Sequence, residues 1–319
     1  YGISFRTHIE SQIIKKCEKN FSINSLFNKE NQDTQKISVI YEDGKKRIEK
    51  NGKKIHDRQE LINTIPCILF CHDDMRFATG EPECRRFFID QSLTLYDSSY
   101  IDDLRNYKKI LKNRNLLLKN HDYQMLDIYN KQLVQYGLII QEKRKKAIFQ
   151  FNEIFGRLFN EITGIEGLKI VYDPSWKEIV VNNEKIFPAS QDILHLLNEK
   201  FETDKSMETT MSGPHRDKIF FIKDKTNFIN TASTGQCRLI SLILRVAQAV
   251  YYTYVTNQKP VLLMDDVLLE LDPDKRAKLT GLLPEYDQLF CTFLPGEPYE
   301  RYKHDTTKVY NIKNGEWYE

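Results

Sequence analysis

The sequence lacks a marked excess of either charge, a long uninterrupted apolar stretch and any closely spaced cysteine pair. Its 319 residues carry 47 lysines and arginines against 45 aspartates and glutamates. This balance argues neither for nor against a polyanionic partner, so a nucleic-acid hypothesis depends on local basic patches. No apolar stretch approaches membrane-spanning length and no signal peptide is visible. We therefore expect a cytoplasmic protein without a membrane partner.

The six cysteines are scattered along the chain and form no CxxC pair. This spacing predicts neither a zinc site nor a disulfide framework. Reduced thiols in a cytosolic protein are the plain interpretation.

A phosphate-binding loop is also absent from these residues. The pattern GxxxxGKS or GxxxxGKT does not occur, and neither Gly80-Glu81-Pro82 nor Gly213-Pro214-His215 satisfies it. Without that loop, a nucleotide site lacks its cradle of backbone donors and its lysine.

The patterns that are present predict an α/β protein with a mainly helical middle. Residues 92–165 repeat apolar side chains at spacings of three and four, which indicates an antiparallel helical hairpin. Short apolar runs predict buried strands at residues 67–70 and 260–264. We expect a strand pair at residues 168–172 and 178–181, and a polar linker at 202–210. Residues 211–319 alternate strands and helices.

Two carboxylates follow one of the predicted buried strands. Val261–Met264 is apolar, and Asp265 and Asp266 come directly after it. Ligands bind at the carboxyl ends of strands in open α/β sheets. One carboxylate there could hold Mg²⁺, and its neighbour could orient a water that attacks a γ-phosphate. Taken alone, the pattern fits equally a strand that ends in a polar turn.

Two further motifs flank helices of the same region. Small and polar residues open the predicted buried helix at Ser233, Thr234, Gly235 and Gln236. Such a helix start can bind an anion or can simply be capped, and the motif alone leaves both open. Asp272 before Pro273 predicts an N-cap, which is compatible with a contact to a second subunit. The three motifs in this order predict an ABC-type ATPase, whose signature helix closes over nucleotide held by a partner subunit.

Longer segments carry a family resemblance. They are residues 4–7 (SFRT), 70–90 (ending GEPECRRFFID), 107–118 (containing LKNRN), 132–137 (QLVQYG), 213–217 (GPHRD), 233–236 (STGQ) and 262–272. Together they resemble the RecF family of bacterial DNA-repair proteins nearly from end to end. Family members begin with a strand and the phosphate loop, so the resemblance leads us to expect that Tyr1 starts a fragment.

The resemblance implies an SMC-like ATPase head with an inserted helical lobe. The head would comprise residues 1–90 and 211–319, and the lobe residues 91–210. It implies ATP and Mg²⁺ as cofactors, an ATP-dependent homodimer, binding to single-stranded or gapped DNA, and work with RecO and RecR to load RecA. Carried over, Asp265 is the Mg²⁺ ligand and Asp266 the hydrolysis acid. The residues that would touch the partner's nucleotide are Ser233, Thr234, Gly235, Gln236 and Asp272.

Basic residues offer candidate DNA contacts, which would be independent of sequence and sensitive to salt. They are Arg85, Arg86, Lys143, Arg144, Lys145 and Lys146. The lysine-rich run fits a solvated helix face equally well, and the two adjacent arginines could form interlobe ion pairs. The sequence also leaves open whether His215 and Arg216 face nucleotide or brace the fold.

Because the phosphate loop is missing, we expect weak or absent ATP hydrolysis by these residues alone. One rival hypothesis is a non-enzymatic DNA-binding module that has lost its ATPase activity. A second is a metal-dependent nuclease using Asp265 and Asp266, although no further carboxylate cluster completes a two-metal site.

Overall fold

The computed structural model describes residues 4–7, 9–28, 34–57, 59–181, 184–268, 271–297 and 299–318. Tyr1, and residues 269 and 270 of the acidic segment, lie outside them. The described strands are β1 (Phe21–Phe27), β2 (Gln35–Glu42), β3 (Lys45–Lys50), β4 (Lys53–Lys54), β5 (Cys67–Phe70), β6 (Lys169–Asp173), β7 (Ile179–Val181), β8 (Glu184–Ile186), β9 (Lys218–Lys223), β10 (Thr226–Asn227), β11 (Val261–Met264), β12 (Gln288–Cys291), β13 (Asn311–Lys313) and β14 (Glu316–Tyr318). The described α-helices are α1 (Gln59–Thr64), α2 (Arg76–Thr79), α3 (Pro82–Thr94), α4 (Ser98–Lys119), α5 (Leu126–Thr163), α6 (Ser190–Glu199), α7 (Phe201–Ser206), α8 (Thr234–Thr256) and α9 (Pro273–Gly281).

A three-stranded parallel sheet in the order β12-β11-β5 lies at the centre of the α/β part. Val261 pairs with Cys67 on one side and Gln288 on the other. Leu262 and Met264 of β11 are buried, as expected for a strand of a parallel sheet that is covered by helices. The sheet therefore joins residues 67–70 to the last third of the chain, and both predicted buried strands are confirmed.

The predicted helical hairpin is formed by α4 and α5, which pack along each other. A loop of only six residues, 120–125, joins them, so the two helices run antiparallel. The longer helix, α5, has 38 residues and ends at Gly164, whose φ of 72° is the left-handed C-terminal geometry that glycine favours. Its inward side chains, including Phe151 and Phe155, belong to the same core as α8.

Two expectations about residues 168–210 are wrong. Strand β6 does not pair with residues 178–181 but runs antiparallel to β9, and β7 pairs with β8 instead. The segment expected to be a linker contains α7, whose Asp204 is completely buried. In both cases a tertiary partner, and not the local pattern, decides the structure.

Helix α8 is buried almost all round, as its composition predicts. Among the described residues it is the one helix long and apolar enough to cross a membrane, but 72% of its most apolar window is buried inside the protein. Burial of this kind is typical of a core helix.

The ends of the described chain form smaller units. Strands β1 to β4 make an antiparallel sheet with its own small core, formed by Ile37, Ile48, Ile55 and Leu61. Strands β13 and β14 form a separate hairpin. The boundary expected at residue 90 falls inside α3, whereas the one at residue 210 falls in the loop that follows α7.

Candidate nucleotide site

The two acids lie at the carboxyl end of β11, next to the end of β5. The Asp265 backbone N–H donates to the Phe70 carbonyl oxygen at 3.0 Å, which continues the pairing of the two strands by one residue. Asp266 then adopts a φ of 54° in the left-handed region, a geometry that aspartate tolerates better than most residues. The chain therefore turns sharply at the second acid, and both side chains remain partly exposed.

Thr292, which directly follows β12, connects the two acids. Its hydroxyl oxygen accepts the Asp266 backbone N–H at 2.9 Å. The same hydroxyl lies 2.9 Å from Asp266 Oδ1 and 3.2 Å from Asp265 Oδ1, so it can donate to either carboxylate. The Thr292 N–H donates to the Met264 carbonyl at 2.9 Å. One threonine thus fixes the backbone turn and lies within hydrogen-bonding distance of both carboxylates.

Arg6 contacts the first acid from outside the sheet. Its Nη2 lies 2.8 Å from Asp265 Oδ2, and the hydrogen bond and charge of Asp265 raise the pKa of the Arg6 guanidinium. The arginine is largely exposed. Among the described residues, no group of three or more His, Cys, Asp or Glu is gathered tightly enough to hold a metal. The acid pair therefore fits Mg²⁺ only together with phosphate oxygens of a ligand, as is common for this ion.

The residues that open α8 form a capping box. The Gln236 N–H donates to Ser233 Oγ at 3.2 Å, and the Ser233 N–H donates to Gln236 Oε1 at 2.8 Å. The capping interpretation of this motif is therefore correct. Ser233, Thr234 and Gly235 are nevertheless exposed. The positive end of a 23-residue helix thus faces outward, where it can receive an anion from another molecule.

Two arginines of α8 fix this helix against the end of β5. Arg238 Nη1 donates to the His72 carbonyl at 2.8 Å. Arg245 forms a buried ion pair with Asp74, with Nη2 2.8 Å from Oδ1. The helix that carries the signature residues is therefore held rigidly beside the sheet that carries the acids.

Asp272 caps α9, as predicted. Its Oδ1 accepts the Lys275 backbone N–H at 2.9 Å, and its Oδ2 lies 2.6 Å from Lys275 Nζ. The side-chain bond to Lys275 is the main reason that the pKa of Asp272 is lowered. Because Asp272 is exposed, the cap leaves this residue accessible to a second molecule.

The lysine-rich run of α5 is divided between different environments. Lys143 pairs with Asp97 and Asp103 at 2.9 and 3.0 Å, and Lys145 pairs with Glu178 at 2.5 Å. Lys146 is exposed.

Arg144 lies in the core and is not available to DNA. It contacts Asp90 and Asp217, each at 2.8 Å. The run is therefore not the continuous basic patch that its sequence suggests, because the helix turns each successive residue to a different side.

The adjacent arginines Arg85 and Arg86 both donate to backbone carbonyls. Arg85 Nη1 bonds the carbonyls of Ala78 and Gly80 at 3.1 and 2.8 Å. Arg86 Nη1 bonds the carbonyl of Asp217 at 2.8 Å. Burial lowers the pKa of both guanidinium groups. Among the described residues, the side-chain hydrogen bonds of these two arginines therefore go to backbone carbonyls, and not to the carboxylates that the suggested interlobe ion pairs would require.

The GPHRD segment at residues 213–217 joins the helical hairpin to β9. Asp217 is fully buried and accepts hydrogen bonds from the side chains of Tyr172, Gln141 and Arg144 and from the Ser175 backbone N–H. His215 Nδ1 lies 2.7 Å from the Tyr107 hydroxyl, and its Nε2 lies 2.9 Å from the Thr210 carbonyl. His215 therefore braces the fold, with Nε2 carrying the proton and Nδ1 accepting from tyrosine.

Sequence reasoning missed Thr292 and Arg6 as partners of the acids. A signal for Thr292 existed: it directly follows the apolar end of β12, and the carboxyl ends of parallel strands meet at one edge. No local pattern pointed to Arg6, whose partner Asp265 lies 259 residues away.

Comparison with known proteins finds no family model that matches the chain. The chain is 43% identical over 319 residues to the DNA replication and repair protein RecF of Treponema pallidum, covering all of this chain and 88% of that protein. It is 33% identical over 319 residues to RecF of Clostridium perfringens, covering 99% of this chain and 86% of that protein.

The fold agrees with this assignment. A solved structure described as the recombination mediator protein RecF with ATP in the RecFOR pathway superposes with a TM-score of 0.83. It is 25% identical in sequence, and the match covers 99% of this chain and 84% of that one. The expected α/β fold of an ABC-type, SMC-like ATPase head with a mainly helical lobe is thereby confirmed. On the strength of these identities and their coverage, the chain belongs to the RecF family of DNA replication and repair proteins.

Proposed function

We propose that this protein acts in recombinational DNA repair and replication restart as an ATP-dependent dimer at single-stranded gaps, where it helps to load RecA. The observation that carries the proposal is the acid pair at the end of β11, clamped by Thr292 beside a helix whose signature residues are exposed. The head comprises residues 1–90 and 211–319, and the lobe residues 91–210. ATP as the ligand is supported by the related structure that is described with ATP.

Asp266 is the residue we assign to hydrolysis. Its carboxylate is held by the Thr292 hydroxyl at 2.9 Å and retains its second oxygen for a water molecule. A carboxylate in this position orients the attacking water and accepts its proton.

Asp265 is the residue we assign to Mg²⁺, which supplies charge neutralisation to the phosphates when bound. Its Oδ2 is paired with the exposed guanidinium of Arg6. Arg6 can exchange this carboxylate for a phosphate oxygen, because both are acceptors that arginine binds.

The signature residues Ser233, Thr234, Gly235 and Gln236, together with Asp272, face a second copy of the protein in this proposal. In the described chain they contact one another or Lys275, and not the acid pair. A helix start that is capped yet exposed fits a phosphate brought by a partner better than one held within the same subunit.

DNA and the proteins RecR and RecO are the proposed partners, and the cytoplasm is the proposed location. The relatives' names concern DNA replication and repair, and one related structure is described within the RecFOR pathway. Of the candidate basic residues, Lys146 is exposed and Lys143 and Lys145 are partly exposed. Phosphate contacts by these lysines would be nonspecific in sequence and weakened by salt.

Sedimentation of the protein as expressed from its own gene tests the dimer proposal. With Mg-ATP and gapped DNA we expect the mass to double, and Ser233→Arg should prevent this by placing a bulky cation at the helix start. Ser98→Arg, at the start of α4, is the matched control and should dimerise normally.

Two results would reject the proposal. If the protein binds gapped DNA as a monomer regardless of ATP, the non-enzymatic DNA-binding module is the better account. If Ser233→Arg dimerises as well as the native protein, the signature surface is not the dimer contact.

The 319 residues without a GxxxxGKS or GxxxxGKT loop should hydrolyse ATP weakly or not at all.

A further inference from the structure

A small cavity lies between the α2–α3 turn, strand β9 and the short turn before the signature helix. Its volume is about 200 Å³. The lining residues are Ala78, Thr79, Gly80, Arg85, Ile219, Phe220, Phe221, Asn227, Ile229 and Asn230. Neither residue of the acid pair lines it, and none of its lining residues has been assigned to nucleotide or to the dimer contact.

Arg85 is the charged group of this cavity, and three of its five N–H groups are on nitrogens that make no hydrogen bond among the described residues. Only Nη1 is engaged, by the carbonyls of Ala78 and Gly80. Its Nε is buried and has no hydrogen-bond partner among the described residues. None of the ion pairs among the described residues involves Arg85. Burial lowers the pKa of this guanidinium, and the nearby charge of Glu81, which forms no ion pair with Arg85 within the described part of the chain, offsets this only in part. An anion in the cavity would stabilise the charged form of Arg85.

Two asparagines of the wall can also donate. Asn227 uses its Oδ1 to accept the Ile229 N–H at 3.3 Å, which leaves its amide N–H₂ free of that bond. Asn230 adds an exposed amide. The Thr79 hydroxyl already donates to the Met75 carbonyl at 3.1 Å and is not counted among the donors. No acidic residue lines the cavity. The wall therefore combines one guanidinium and two amides as donors, with no carboxylate among the lining residues.

Gly80 keeps the cavity floor in place. A Cβ atom at this position would lie 2.5 Å from the Arg76 carbonyl oxygen and 3.1 Å from Cys84 Sγ. The close turn allows the Gly80 carbonyl to reach Arg85 Nη1. This bond fixes the guanidinium, so that a ligand meets a prepared donor and does not have to order it.

We propose that this cavity is a binding site for one small anionic group, a phosphate or a carboxylate, held by Arg85, Asn227 and Asn230. Its volume is below the range of about 300–1,000 Å³ of pockets that hold whole cofactors, so it accepts a single group and not a nucleotide. The wall includes the turn at residues 228–230, three residues before the Ser233 cap. Occupancy of the site would therefore stiffen the approach to the signature helix.

Calorimetric titration with inorganic phosphate, and separately with acetate, tests the proposal on the full chain in a chloride buffer. We expect saturable binding of at least one anion, and the tighter one identifies the group. Asn230→Asp places a competing carboxylate on the wall and should weaken binding at least tenfold. Arg85→Gln should do the same. Asn20→Asp makes the same chemical change on an exposed residue far along the chain and should leave binding unchanged.

Three results would overturn the proposal. One is the absence of saturable binding of either anion to the native protein. Another is equal binding by the native protein and Asn230→Asp. The third is binding that is lost in Ser233→Ala but kept in Asn230→Asp, since this pattern would place the anion at the exposed start of α8. Asn230 lies on the surface, so Asn230→Asp tests the site even if Arg85→Gln fails to fold.

Discussion

Thr292 is the residue on which the acid pair depends, because its single hydroxyl accepts the Asp266 backbone N–H and donates its proton to one of the two carboxylates. Thr292→Val keeps the shape and removes the hydroxyl. Loss of one such bond is worth about 1 kcal/mol. We therefore expect hydrogen exchange of the Asp266 amide to accelerate about fivefold, while Thr292→Ser exchanges as slowly as the native protein.

The control for this measurement is Thr280→Val near the end of α9, whose hydroxyl bonds carbonyls of its own helix. It should leave exchange at Asp266 unaltered. Unchanged exchange at Asp266 in Thr292→Val would show that the hydroxyl does not hold the turn.

Protonation of His215 makes the free energy of unfolding depend on pH. Burial lowers its pKa from the ordinary 6.5 to about 4. The unfolded chain binds a proton at this residue below pH 6.5, whereas the folded chain does so only near pH 4, so acid favours unfolding in this window. The contribution reaches about 3 kcal/mol, since each pKa unit corresponds to about 1.4 kcal/mol.

Urea unfolding between pH 7.5 and pH 4 measures this effect. His215→Gln should lose the part of the pH dependence that falls between pH 6.5 and 4, and the exposed His56→Gln should keep it. If His215→Gln and the native protein lose stability in parallel as the pH falls, His215 is not responsible.

Whether the environment of a candidate residue could be predicted depended on how close its partners lie in the sequence. The Asp272 and Ser233 caps were predictable, because a cap is made with residues three positions away. The environment of Arg144 was not, since its partners Asp90 and Asp217 are 54 and 73 residues distant. A run of four basic residues looks uniform in sequence, and only the orientation of the helix in the fold distinguishes the buried arginine from the partly exposed lysines on either side of it.

At the scale of the element, α5 contains two glycines that a helix would normally disfavour. A Cβ at Gly137 would lie 2.5 Å from the ring of Trp176, which is completely buried, whereas a Cβ at Gly156 would meet only the Leu168 carbonyl at 3.3 Å. Gly137 is therefore needed for close packing against Trp176.

Substitution of the two glycines by alanine should have opposite effects on thermal stability. Gly156→Ala should be close to neutral or stabilising by up to about 1 kcal/mol from helix propensity. Gly137→Ala should destabilise by about 1–3 kcal/mol, the usual range for overpacking. Equal melting temperatures for the two variants would show that Trp176 moves aside without cost.

Elements with a strong pattern were predictable, and elements defined by their partners were not. The helices α5 and α8 and the strands β5 and β11 follow from apolar periodicity and apolar runs. The pairing of β6 with β9 was missed because the two strands are 44 residues apart and neighbouring β7 offered a shorter connection. Helix α7 was missed because its six residues are almost all polar.

At the scale of the whole molecule, Asp217 connects helix α5 to the sheet formed by β6 and β9. It lies at the start of β9 and receives side chains from α5 and β6, while Asp90 of α3 shares Arg144 with it. Asp217→Asn would leave the buried Arg144 paired with one carboxylate, that of Asp90, in place of two. Breaking a buried pair costs about 3–5 kcal/mol, so we expect a large fall in melting temperature.

Asp224→Asn is the control variant, because the ion pair between Asp224 and Lys223 lies at the protein surface. Surface pairs of this kind contribute at most about 1 kcal/mol, so little change is expected. Similar melting temperatures for Asp217→Asn and Asp224→Asn would contradict the role of Asp217 as a joint between helices and sheet.

The fold class could be predicted from the order of three motifs along the chain: the signature helix, the acidic strand and the capped helix. In the structure these are α8, β11 and α9, in the same order. The interlobe contacts could not be predicted in the same way. They depend on buried polar groups of residues 210–217 whose partners come from α4, α5 and β6, and such partners carry no periodic signal.

The central claim is that Asp266 performs ATP hydrolysis, and single-turnover hydrolysis of ATP by the protein as expressed from its own gene tests it most directly. Asp266→Asn should reduce the rate by about 10²–10⁴-fold, the usual contribution of a general base, with ATP binding retained. An Asp266→Asn protein that hydrolyses ATP at the native rate would contradict the account.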